Sequence, residues 1–74
     1  MPAEHWLTLT EDLHAPSQAR AWVIARTPEL PRATVQDTLL MVSELVTNAV
    51  RHGSPDIVLR LAVLSDRIRI AVQD

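Results

Sequence analysis

Cysteine is absent from the 74 residues, which removes disulfides, thiolate catalysis and cysteine-ligated zinc from consideration. Phenylalanine and tyrosine are absent too, leaving Trp6 and Trp22 as the whole aromatic complement. A core must therefore be assembled from Leu, Val, Ile and Ala, and platforms for base stacking are scarce. No stretch approaches the ~18 consecutive apolar residues of a membrane span. The start of the chain, Met1-Pro2-Ala3-Glu4-His5, lacks the basic region and apolar run of an export signal. Positive charge is not in excess either: seven basic and nine acidic residues give a net charge of −2, so a phosphate backbone meets no broad attracting field. Together these absences predict a soluble, cytoplasmic protein with neither nucleic acid nor membrane as its partner.

Hydrophobic residues make up 47% of the chain and charged residues 22%, which suits a packed core and not a disordered tail. A chain this short buries only about 60% of the surface that its unfolded form exposes, so it forms one small domain at most, of marginal stability.

Alternation of Leu7 and Leu9 with Thr8 and Thr10 after Trp6 predicts a short, half-covered strand. From Pro16 the spacing of Ala19, Trp22, Val23 and Arg26 is helical, and the helix must end before Pro28. The run Thr27-Pro28-Glu29-Leu30-Pro31 is a turn. Thr34, with Asp37 three residues on, reads as a capping box that opens a second helix reaching Arg51 or His52. At about 100° per residue, Val35, Leu39, Val42, Leu45, Val46, Ala49 and Val50 gather on one core-facing arc, interrupted by Thr38. Gly53 supplies the left-handed residue that commonly ends a helix, and Ser54-Pro55-Asp56 leads the chain away. Residues 57–64 and 67–73 then read as a hairpin pairing Val63 with Ile68, Leu61 with Ile70 and Leu59 with Val72. One face of that hairpin is wholly aliphatic. The other carries Val58, Arg60, Ala62, Arg67, Arg69 and Gln73 and is wet. The fold class is α+β, in the order strand, helix, helix, hairpin.

Opposite the core arc lie Asp37, Glu44, Asn48, Arg51 and His52, with Leu40 and Met41 as an unexplained apolar pair beside them. Glu44, Asn48 and His52 stand at i, i+4 and i+8 and so share a face. A carboxylate one turn from a carboxamide allows phosphoryl transfer, the first group orienting or deprotonating a nucleophile and the second offering a neutral oxygen to Mg²⁺. Spacing alone does not select this reading, because such residues are ordinary on a solvated helix face and His52-Gly53 is an ordinary helix stop. A metal site made of His5, His14 and His52 has no ligand spacing to support it.

The string that selects the chemical reading is Val42-Ser43-Glu44-Leu45-Val46-Thr47-Asn48-Ala49-Val50-Arg51-His52-Gly53. It resembles the N-box of the GHKL superfamily of ATPases, which unites gyrase, heat-shock chaperones and histidine kinases, and is most similar to the branch of anti-sigma-factor serine/threonine kinases. Ala19-Arg20 and the first strand also resemble that branch, so the likeness spans essentially the whole chain. It implies a two-layer α/β sandwich of the Bergerat type, truncated, with residues 1–74 forming the N-terminal part of one ATP-binding domain. It implies that Glu44 is the catalytic carboxylate, that Asn48 coordinates the Mg²⁺ bridging the ATP phosphates, and that Arg51 and His52 lie near the phosphates and lid. Asp74 falls where the family opens its Asp-x-Gly-x-Gly motif, whose Asp accepts a hydrogen bond from the adenine amino group.

The resemblance stops at Asp74, with no glycine beyond Gly53 to build the phosphate-cradling turns of the missing motifs, lid and strands. The chain alone is therefore expected to bind ATP and Mg²⁺ weakly or not at all. In a complete parent the implied function is phosphoryl transfer from Mg·ATP to a Ser or Thr of an antagonist protein that regulates a sigma factor. The alternative is a non-catalytic interaction module of the same fold, acting on a sigma factor or its antagonist. An exposed strand edge near Ile68–Val72 is expected to favour a homodimer or aggregation.

Overall fold

The computed structural model describes residues 3–10, 12–53, 56–65 and 67–73. The chain runs through strand β1 (Ala3–Thr10), helix α1 (Ala15–Arg26), helix α2 (Arg32–Arg51), strand β2 (Asp56–Val63) and strand β3 (Ile68–Gln73). All pairing is antiparallel in the order β1-β2-β3, with β2 central. Both helices lie against one face of the sheet, giving the α+β two-layer arrangement, compatible with a truncated GHKL-like fold.

Local chemistry accounts for each boundary. Asp12 organises the entry to α1, accepting hydrogen bonds from the His14 backbone N–H at 2.7 Å and from the Thr10 hydroxyl at 3.2 Å. Pro16 sits in the first turn, where its missing N–H removes no helical bond. At the other end the buried Thr27 hydroxyl donates to the Val23 carbonyl at 2.9 Å, and Pro28 disfavours further helix.

The start of α2 differs from the capping box expected at Thr34 and Asp37. Pro31 holds an extended conformation (φ −56°, ψ 144°) and its carbonyl already accepts the Val35 N–H at 3.1 Å, so the helix begins at Arg32 with no side-chain cap. Thr34 is thereby a residue of the first turn, and its carbonyl accepts the Thr38 hydroxyl at 2.8 Å. The far end follows expectation: α2 stops at Arg51, and Gly53 takes φ 75°. Ser54 and Pro55, expected to lead away from it, lie outside the described residues.

The hairpin register is the one expected, with Val63 opposite Ile68, Leu61 opposite Ile70 and Leu59 opposite Val72. The Leu64 N–H donates to the Arg67 carbonyl at 2.8 Å and closes it. Strand β1 adds His5, Leu7 and Leu9 to the same face, opposite Leu61, Leu59 and Ile57. Leu9, Ile57 and Leu59 form the core with Ala15, Ala19 and Val23 of α1 and Val42, Val46 and Ala49 of α2. Among the described residues β3 pairs with β2 alone and presents an outer edge.

Two positions of the α2 arc are exchanged relative to the sequence pattern. Thr38 is buried, at 5% exposure, because its bond to Thr34 satisfies the hydroxyl without water. Leu45, expected in the core, is 39% exposed. Leu39 and Leu45 lie at about equal angles either side of the buried stripe; Arg20 of α1 stands beside Leu39, Leu40 and Ser43 on one flank. On the other, Leu45 remains partly open to solvent.

Candidate functional site

The exposed side of α2 carries a depression of about 550 Å³ lined by Ser43, Glu44, Leu45, Thr47, Asn48 and Arg51. Helical geometry explains the grouping. Glu44 and Asn48 are one turn apart, Arg51 is a further turn along, and Ser43 and Thr47 form a parallel row beside them. Among the described residues, all six that line it belong to α2. Leu45 is one of them and is partly open to solvent.

Three of the five residues singled out from the sequence meet here. Glu44, Asn48 and Arg51 are exposed, and among the described residues their side chains make no ion pair or hydrogen bond, so each is available to a ligand. His52 is exposed at the helix C-cap and does not line the depression; its backbone N–H donates to the Asn48 carbonyl at 3.1 Å. That bond fixes the last turn on which Asn48 stands. Asp74 lies outside the described residues. Ser43 and Thr47 were not signalled as site residues by the sequence, although their i, i+4 spacing puts them one residue before Glu44 and Asn48 in each turn.

The donor set is chemically suited to a hard cation and to phosphate. A carboxylate and a carboxamide oxygen are the ligand types that Mg²⁺ accepts, and Arg51 brings the planar guanidinium that matches phosphate oxygens. The remaining polar candidates are dispersed. His5 meets Trp22 edge-on at 6.3 Å between ring centroids, and His14 caps α1. Among the described residues no three His, Cys, Asp or Glu side chains form a metal-binding group, and no helix is long and apolar enough to cross a membrane.

A family model described as the histidine kinase-like ATPase domain matches residues 8–74. The match takes in β1 from its middle, both helices and the hairpin, and so covers every residue of the α2 depression. No curated protein and no solved structure matches the chain.

Proposed function

As this chain belongs to the histidine kinase-like ATPase domain family, we propose that α2 supplies the Glu44–Asn48 wall of a Mg·ATP site. The observation that carries the reading is the placement of Glu44, Asn48 and Arg51, all exposed and, among the described residues, all without a protein partner, around one depression. Glu44 would orient or deprotonate the attacking hydroxyl, and Asn48 would hold the cation through its carboxamide oxygen. Arg51 would face the phosphates, and His52 would steady the last turn of the helix. Mg²⁺, when bound, would neutralise charge that develops on the phosphate oxygens during transfer.

The finer reading is that of an anti-sigma-type serine/threonine kinase, with a hydroxyl of a small antagonist protein as acceptor. It is supported by the run from Glu44 to Gly53 and by the neutral side chains of Ser43 and Thr47 bordering the carboxylate, which leave room for a polypeptide acceptor. One observation favours the second reading, a non-catalytic interaction module of the same fold: among the described residues α2 alone lines the depression.

The two readings part in assays of Mg·ATP binding and phosphoryl transfer. Glu44→Gln is expected to retain Mg·ATP affinity while lowering phosphoryl transfer by about 10²–10⁴-fold, the usual contribution of a general base. Asn48→Ala is expected to weaken Mg·ATP binding itself. Undiminished turnover in Glu44→Gln would remove Glu44 from the chemistry, and an absence of transfer in the unaltered polypeptide would favour the interaction module.

A further inference from the structure

The sheet face turned away from the helices has a pattern that neither the core nor the α2 depression uses. Strand register places Trp6, Arg60 and Ala71 in one row across it, and Glu4, Ala62 and Arg69 in the next. Arginine and alanine therefore alternate on β2 and β3, each guanidinium standing beside an alanine floor. A depression of about 440 Å³ takes Glu4, Arg60, Ala62, Arg69 and Ala71 from this face and reaches past the edge of β3 to Ile70 and to Met41 of α2. Trp6, 55% exposed, borders it with the Arg60 guanidinium 5.2 Å from its ring centroid.

Two like charges on this face stand close together. Arg60 and Arg69 are diagonal neighbours on adjacent strands, a separation of about 7–8 Å at the backbone, close enough for like charges to oppose one another. Neither is in an ion pair: Arg60 has only the Trp6 ring and Arg69 has no partner. Glu4 shares the row of Arg69 but lies two strands away, about 10 Å across Ala62, and makes no ion pair with it. A carboxylate seated between the two guanidiniums would relieve their repulsion and accept charge-assisted hydrogen bonds from both. An aliphatic side chain next to it would cover the alanine floors and the exposed indole face.

We propose that this open sheet face docks an acidic segment of a partner protein, one that sets carboxylates beside an aliphatic side chain. The unpaired Arg60 and Arg69 guanidiniums complement a carboxylate, and a single exposed indole offers little stacking surface to nucleic acid. Met41 of α2 reaches this depression, but among the described residues the depression shares no lining residue with the one around Glu44.

The test uses two synthetic peptides of alternating Leu and Glu or Leu and Lys, titrated into the chain with Trp22→Phe so that Trp6 alone reports by fluorescence. Methyl shifts of Ala62 and Ala71 in the unaltered chain give a second reading that needs no tryptophan replacement. The Leu-Glu peptide is expected to shift Trp6 emission and both methyls saturably and the Leu-Lys peptide to leave them unmoved. Arg60→Gln with Arg69→Gln, both exposed positions, is expected to weaken binding by about tenfold, whereas Glu44→Gln leaves it unchanged. Equal binding of the two peptides, full affinity in the double arginine variant, or saturable binding of a single-stranded oligonucleotide at Ala62 and Ala71 would each overturn the proposal. So would a dimer in sedimentation that the arginine variants dissolve, because a second copy would then be the occupant.

Discussion

Gly53 closes α2 at φ 75°, a conformation that a Cβ opposes, and directly before it stand the residues of the candidate site. Gly53→Ala is expected to lower stability by about 1 kcal/mol, seen as a reduced urea midpoint with an unchanged slope. Asn48 should feel the same change through the last turn, since the His52 N–H bonds to its carbonyl. At this scale the sequence was informative where a residue's role is local. Gly53 and Pro28 announce their positions through backbone chemistry alone. Thr38 and Leu45 do not, because hydropathy ranks the leucine as the better core residue. What reverses the order is a hydroxyl satisfied by its own helix and a flank left partly open to solvent.

Among the elements, α2 works as a divider, burying Val42, Val46 and Ala49 on one side and presenting Glu44, Asn48 and Arg51 on the other. Strand β2 is its structural counterpart, with Ile57, Leu59 and Leu61 fully buried at the centre of the sheet. Leu59→Ala is expected to cost about 2–5 kcal/mol, against a total stability of roughly 4–11 kcal/mol for a chain of this length. Leu45→Ala, on the partly open flank, is expected to cost under about 1 kcal/mol. Thermal unfolding followed by circular dichroism compares the two directly, and equal losses would place Leu45 back in the core. The period of α2 and the alternation of the hairpin were both readable in advance, as was the pairing of Leu61 with Ile70. The first turn of α2 was not: Thr34 and Asp37 carry a capping signature, yet Pro31 accepts the Val35 N–H and sets the start earlier.

For the molecule as a whole, the governing feature is a depression that, among the described residues, is lined by α2 alone. A nucleotide held on one side only keeps most of its surface in water, whereas well-formed ligand pockets bury about 70–90% of it. Titration calorimetry of the 74-residue chain with Mg·ATP is therefore expected to show no affinity tighter than about millimolar, and micromolar binding would show that the α2 wall suffices. The opposite sheet face obeys a different logic, since its arginine and alanine pattern arises from register and is complete within three strands.

The amino-acid sequence by itself determined the order of elements, the hairpin register, the helix stop at Gly53 and the grouping of Glu44 with Asn48. Each of these depends on periodicity or backbone preference within a few residues. Tertiary structure decided which flank of α2 is covered, that Arg51 shares the depression while His52 does not, and that Trp6, Arg60 and Arg69 meet on one open face. These outcomes depend on which elements pack together and in what strand order, relations between distant residues that no local pattern encodes.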